Sequence, residues 1–169
     1  MPYPSEILRE VNGCLMDLNK PRAGSLAHIY QTDGEVSCVN LAGAILERFA
    51  GDMGENYEYV NATSDNGLVC NIDAIATNGR LIHINVRGEP STNNHVFNVH
   101  IWDNTALIIQ VYLNKQVRLF RRISKYNFIQ EFNRLRSQNS HYVSGAYNDL
   151  FGVTIAPNYT VSDLNVTYV

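Results

Sequence analysis

The hydrophobic residues of this 169-residue chain change their spacing partway along, and that change constrains the fold more than any other feature. In residues 5–19 and 37–50 they recur at helical spacing, which predicts two amphipathic helices. Ser5 is the predicted N-cap of the first helix, and Gly51 is placed to end the second. The stripe of the second helix that we expect to be buried comprises Val39, Ala42, Ile45, Leu46 and Phe49.

The middle of the chain changes to a two-residue period, which is typical of strands. Apolar residues alternate through 69–76 and again through 81–86, and Asn78-Gly79 lies between the two runs. Because Asn-Gly fits the tight turns that join antiparallel strands, this segment predicts a β-hairpin.

A second hairpin is predicted from residues 95–102 and 106–113, with its turn at 103–105. Helical spacing then returns in 126–135, and Ser124 is the expected N-cap of that third helix. Two helices, an antiparallel sheet and a further helix together predict an α+β fold.

Composition favours one folded domain over residues 1–169, because this length is common for a single domain and 45% of the residues are hydrophobic. A net charge of −3 argues against a nucleic-acid partner. No apolar run reaches the roughly 20 residues of a membrane span, and the first residues do not resemble a Sec-type signal. The tail from Ser140 onward shows no clean period.

Cys38 is the first residue that indicates chemistry, because it falls in the first turn of the second predicted helix. A helix N-terminus carries unpaired N–H groups and partial positive charge, which favour a thiolate and can also bind an oxyanion. The alternative is that Cys38 is a small buried hydrophobe, as Cys14 and Cys70 are expected to be on their apolar stripes.

His95 is the matching candidate for a base, because it opens a predicted strand directly after a polar Ser-Thr-Asn-Asn loop. A histidine there is expected at the edge of a cleft, where a pKa near 6.5 lets it accept a thiol proton. His83 is predicted to be a structural histidine within its strand, and His100 points to the strand face opposite His95.

A cysteine at the head of a helix, then a sheet, then a histidine that opens a strand resembles the papain-like cysteine hydrolases. Within them, His-Val-Phe-Asn-Val at 95–99 and Ser-Cys-Val-Asn-Leu-Ala at 37–42 resemble segments of bacterial papain-fold toxins and glutamine-deamidase effectors. The resemblance implies a papain-like α+β domain in which the nucleophile, Cys38, begins a helix packed on an antiparallel sheet. It covers about residues 31–116.

The resemblance also implies an oxyanion-hole glutamine and a residue that orients the histidine. Gln31 lies seven positions before Cys38 and is the candidate for the oxyanion hole; the alternative is a solvated loop residue. Gln110 falls where many of the toxins have Asp, and the cycle-inhibiting-factor deamidases resemble this chain in using a Cys-His-Gln arrangement. A glutamine carbonyl can accept from an imidazole N–H, but it lacks the charge that stabilises an imidazolium.

Asn114 and Gln116 are alternative orienting residues, because the hairpin register decides which side chain faces His95. A two-residue turn at Asn104-Thr105 would set His95 opposite Asn114. No spacing fits a zinc site, a phosphate loop or a dinucleotide turn, so we predict no metal and no cofactor.

Together these features predict a cysteine-dependent hydrolase that attacks an amide, as a protein glutamine deamidase or a protease. The resemblance implies a bacterial effector or toxin that acts on a protein substrate and has an inhibitory or immunity protein. Two alternatives remain open: an effector amidase that cleaves peptidoglycan peptides, and a non-catalytic binding module on the same scaffold. Three cysteines and no signal peptide predict cytoplasmic synthesis, with delivery into a target cell by a signal-independent route.

Overall fold

An antiparallel sheet with helices on both faces forms the core of this α+β protein. The computed structural model describes residues 4–19, 38–52, 58–61, 71–89, 94–110, 120–136, 142–143 and 159–169. Its helices are α1 (Pro4–Asn19), α2 (Cys38–Asp52), α3 (Ile72–Ile75) and α4 (Lys125–Arg136). Its strands are β1 (Glu58–Asn61), β2 (Leu81–Glu89), β3 (His95–Trp102), β4 (Thr105–Ile109), β5 (Phe120–Ser124), β6 (Tyr142–Val143) and β7 (Tyr159–Tyr168).

In the described part of the chain the seven strands form one sheet in the order β1-β7-β2-β3-β4-β5, with β6 paired to β7. Every pairing is antiparallel. The strand β7 comes from the tail that showed no clean period, yet it lies between β1 and β2. Its buried Leu164 and Val166 alternate with half-buried polar residues, as a strand with one buried face requires.

The alternation of β3 divides the core into two layers. Phe97, Val99 and Ile101 face a cluster that includes Phe128 and Phe132 of α4, and we call this side the α4 face. Val96 points to the opposite side, the α2 face, where it packs against α2. On that face α1 and α2 also pack on β2 and β4.

The first two helices occur where the sequence predicts them, with different ends. α1 begins at Pro4, not at an N-cap Ser5, and proline suits a first helical position because its missing N–H would be unpaired there. α2 continues through Gly51 to Asp52, so Gly51 does not end it. Val39 is 65% exposed, so its predicted burial is wrong, while Ala42 and Ile45 are buried as expected.

The first predicted hairpin is wrong in its leading strand, because residues 72–75 form the short helix α3. The side chain of Asn71 caps it by accepting from the Ala74 N–H at 3.4 Å. Ile72 and Ile75, three positions apart, are its buried residues, so a helical spacing prevails over the alternation. Gly79 still provides a turn, with φ 84°.

The second predicted hairpin is present as β3 and β4, with its turn at Asp103-Asn104, both at positive φ. Because Trp102 pairs with Thr105, the turn residues are Asp103 and Asn104, one position earlier than a turn at Asn104-Thr105. The pairing of His95 with Asn114, which the later turn would give, therefore does not follow. In α4 the Ser124 hydroxyl accepts from the Asn127 N–H at 3.1 Å, which agrees with the predicted N-cap. Among the described helices none is long and apolar enough to cross a membrane.

Candidate active site

Cys38 is the first residue of α2 and lies on the inner side of that helix. It is 5% exposed and packs against Ala42, one helical turn later, and against Val96 of β3. Two backbone N–H groups of this first turn, those of Cys38 and Val39, hydrogen-bond to the sulfur.

Burial raises the pKa of the Cys38 thiol above its ordinary value. Backbone N–H groups of Val96, Val39 and Cys38 hydrogen-bond to the sulfur and lower the pKa, but they do not outweigh burial. The resting group is therefore a neutral thiol, and not the thiolate that the helix N-terminus alone suggests.

His95 is the first residue of β3 and is 7% exposed. Just before it, the side chain of Asn94 accepts from the Gly88 N–H at 2.9 Å, where the pairing of β2 is irregular. The imidazole stacks on Phe97 with ring centroids 5.6 Å apart. Backbone and side-chain contacts thus both fix the start of β3.

Gln110 directly follows β4, and its Oε1 lies 3.0 Å from Nε2 of His95. An amide oxygen only accepts, so Nε2 carries the hydrogen and the lone pair of a neutral imidazole is on Nδ1. Burial lowers the pKa of His95, and the Gln110 hydrogen bond raises it by less. The net lowering of the pKa leaves a neutral imidazole, and the Gln110 hydrogen bond defines Nδ1 as its accepting nitrogen.

The three central candidates come from α2, β3 and the end of β4. The sulfur of Cys38 accepts a hydrogen bond from the backbone N–H of Val96, the residue next to His95 in the chain. His95 in turn is bonded by Gln110. Gln31, Asn114 and Gln116 lie outside the described residues.

Asn98 is a buried polar residue that the sequence reasoning missed. Its Oδ1 lies 2.9 Å from Nδ1 of His83, and its Nδ2 donates to the Ala42 carbonyl oxygen at 3.2 Å. The sequence signal that could have found it is a polar residue, Asn98, within an otherwise mostly apolar strand.

The remaining histidines of the described residues do not extend this site. His100 stacks with Trp102, with ring centroids 6.3 Å apart, on the strand face opposite His95. His83 is hydrogen-bonded within the sheet, as a structural histidine is expected to be. No group of three metal-ligating side chains occurs among the residues that the structure describes.

Comparison with known proteins gives a distant similarity. No protein-family model and no curated protein matches the chain. Among solved structures it is similar to the Pseudomonas avirulence protein AvrPphB at 14% sequence identity, over 98% of this chain and 72% of that one, with a TM-score of 0.39. This similarity assigns no family, so a function has to be argued from the site itself.

Proposed function

We propose that the chain is a papain-like cysteine hydrolase that attacks an amide, with Cys38 as nucleophile and His95 as base. The observation that carries this proposal is the hydrogen bond of 3.0 Å between His95 Nε2 and Gln110 Oε1, at the start of a strand whose next residue, Val96, packs against a cysteine that begins a helix. That bond fixes the tautomer in which Nδ1 can accept a proton, which is what a nucleophile's base requires.

The reaction begins when Nδ1 of His95 takes the proton of the Cys38 thiol. The sulfur attacks the amide carbon, and the resulting oxyanion accepts hydrogen bonds from N–H groups at the start of α2. His95 then gives its proton to the departing nitrogen, which leaves as an amine or as ammonia. Water, deprotonated by His95, hydrolyses the thioester and restores both groups.

Burial favours the neutral forms of both Cys38 and His95, because the pKa of the thiol is raised and that of the imidazole lowered. The pair therefore works by general-base catalysis, in which proton transfer accompanies attack, and not from a stored thiolate–imidazolium pair. Gln110 fits this scheme, because a neutral residue orients the ring without stabilising its charged form.

The same chemistry cleaves a peptide or deamidates a glutamine side chain. The proposed substrate is a protein, and the proposed role is that of a bacterial effector or toxin, delivered to its target and held inactive by an inhibitory protein. These assignments depend on the resemblance of the 37–42 and 95–99 segments to papain-fold toxins and deamidases.

A non-catalytic binding module is the second candidate, and one observation favours it. Cys38 is 5% exposed and its pKa is raised by burial, which is also expected of an inert structural thiol. The two candidates differ in whether His95 influences Cys38.

Alkylation by iodoacetamide, resolved for each cysteine by mass spectrometry, separates the candidates. At pH 7.5 we expect Cys38 to react about tenfold faster than Cys14, and His95→Ala to remove that advantage, because a positioned base accelerates proton removal by at least such factors. His100→Ala is the matched control, since it removes a buried histidine from the same strand.

Equal alkylation rates of Cys38 and Cys14, unchanged in His95→Ala, would leave only the binding module. With a reactive Cys38, substrate assays follow on casein, on a pool of glutamine-containing peptides and on purified muropeptides. New N-termini in casein indicate a protease, ammonia from the peptides a deamidase, and cleaved muropeptides the peptidoglycan amidase. Cys38→Ala must abolish whichever activity is found.

A further inference from the structure

Asn98 is fully buried in β3, although its side-chain amide has two donors and an oxygen that need hydrogen bonds. An unpaired amide there would cost free energy, so its pairing specifies the local structure. Both ends of the amide are paired: Oδ1 with Nδ1 of His83 at 2.9 Å, and Nδ2 with the Ala42 oxygen at 3.2 Å. Because Oδ1 only accepts, Nδ1 of His83 is the donor of the first bond.

These bonds join β3 to the helix that carries the nucleophile. Ala42 lies four residues after Cys38, so the two share one face of α2, and both pack against Val96. The helix is attached to β3 at two points: the Val96 N–H bonds the Cys38 sulfur, and the Asn98 amide bonds the Ala42 oxygen.

The spacings of the two attachments match. Two residues of an antiparallel strand span ~6.8 Å, and four residues of an α-helix rise ~6 Å. Val96 and Asn98 are two residues apart on the α2 face, and Cys38 and Ala42 are four apart on the facing side of α2. Fixing one attachment therefore fixes the position of α2 at the other.

We propose that Asn98 is a positioning residue for the Cys38 thiol. Its amide holds α2 on β3 at Ala42, which keeps Cys38, one turn earlier, against Val96, the residue next to His95 in the chain. His83 takes part by holding Oδ1 of Asn98, which orients Nδ2 toward the helix. That this position of the thiol serves catalysis rests on the proposed function, whereas the attachment of α2 to β3 through Asn98 does not.

Asn98→Asp tests the proposal with little change of shape. The carboxylate keeps an acceptor for His83 but loses the donor to Ala42, so two oxygens face each other and the attachment of α2 to Asn98 is lost. The matched control is Asn85→Asp, which puts the same charge on the same sheet face, opposite Val96 in the neighbouring strand.

The first measurement is amide hydrogen exchange by NMR. We expect the Val96 amide to exchange about tenfold faster in Asn98→Asp, as the loss of roughly one hydrogen bond allows. In Asn98→Asp the exchange rate of the Val99 amide, in the same strand, should change less than about twofold. In Asn85→Asp the exchange rates of both the Val96 and the Val99 amides should also change less than about twofold, which is within the error of additive distant effects. Unchanged Val96 exchange, or equal acceleration of Val96 and Val99, overturns the proposal, since the latter means general destabilisation.

The second measurement is the ratio of Cys38 alkylation rates with and without His95→Ala, in the native and Asn98→Asp backgrounds. Coupling through position predicts that the ratio falls toward one in Asn98→Asp, whereas independent effects leave it unchanged. A ratio of one in the native background contradicts the proposed function, while the Val96 exchange still decides the role of Asn98. If Asn98→Asp does not fold, His83→Leu removes the Oδ1 bond together with the hydrogen bond of His83 to the Ala42 backbone, and unchanged Val96 exchange in that variant overturns the proposal.

Discussion

The identity of residue 110 determines how His95 can act. Gln110 is 1% exposed and offers a neutral oxygen to Nε2, so it orients the imidazole without attracting a positive charge to it. A carboxylate in the same place would stabilise the imidazolium and, through it, a thiolate at Cys38. In the proposed mechanism, the residue at this position therefore decides between general-base catalysis and a preformed ion pair.

Gln110→Glu should shift Cys38 and His95 from a neutral pair that works by general-base catalysis toward a preformed thiolate–imidazolium ion pair. The added charge beside Nε2 should raise the pKa of His95 by about one unit or more, the usual effect of an opposite charge at hydrogen-bond distance. The acid limb of the pH profile for Cys38 alkylation, which we expect below about 6.5 in the native protein, should then move to higher pH. Alkylation below neutral pH, measured by peptide mass spectrometry, should report this shift.

Gln110→Ala provides the control, because it removes the oxygen without adding a charge. It should lower the alkylation rate of Cys38 without moving the acid limb upward. An acid limb that stays in place in Gln110→Glu would mean that the new side chain is protonated or does not contact His95.

Elements with a strong local signal could be predicted from the sequence. Helical spacing located α1 and α2, and the Ser124 cap located the start of α4. The strand prediction for residues 72–75 is wrong because their apolar residues fit both a two-residue and a three-residue spacing. The Asn71 cap and the burial of Ile72 and Ile75 decide for a helix.

The strand β7 shows a different limit of sequence reasoning. Its apolar side, Leu164 and Val166, alternates with Asp163, Asn165 and Thr167, so half of the strand is polar. Its place between β1 and β2 follows from pairings across most of the chain, which no local pattern encodes.

The polar side of β7 contains an unpaired buried atom. Oδ1 of Asn165 is inaccessible to solvent and accepts no hydrogen bond from the residues that the structure describes. Asn165→Val removes that acceptor and adds a residue favoured in strands, so the free energy of unfolding should rise by about 1 kcal/mol. Urea unfolding measures the change.

Asn85→Val is the matched control for Asn165→Val. Asn85 pairs with Asn165 in the neighbouring strand, and the substitution gains the same strand preference without removing an unpaired buried acceptor. An equal increase in both variants would assign the effect to strand preference alone.

For the molecule as a whole, the candidate site depends on the register of the sheet. Cys38 and His95 could be singled out from the sequence, because each lies at the start of an element. The choice among Gln110, Asn114 and Gln116 could not be made, because it depends on whether the hairpin turns at Asp103 or one residue later. The attachment of α2 through Asn98 needs the positions of three elements at once.

Burial of two histidines makes the stability of the whole molecule depend on pH. Burial lowers the pKa values of His83 and His95 below the ordinary value. Between those lowered values and about 6.5 the unfolded chain binds more protons than the folded one, so the free energy of unfolding falls as the pH falls. Cys38 acts at the other end: its raised pKa makes stability fall as the pH rises beyond about 8.5.

Urea unfolding at pH 5, 6, 7 and 8 should therefore show a maximum near neutral pH and a loss on the acid side. The acid slope can reach about 1.4 kcal/mol per pH unit for each histidine that must lose its proton to fold. His83→Gln and His95→Gln should each reduce that slope, because glutamine can keep a hydrogen bond but does not titrate. The double variant should be nearly flat between pH 5 and 7, after allowing for its lower overall stability. A slope that is the same in the double variant and in the native protein would mean that other groups cause the acid loss and that both imidazoles can be protonated in the folded state.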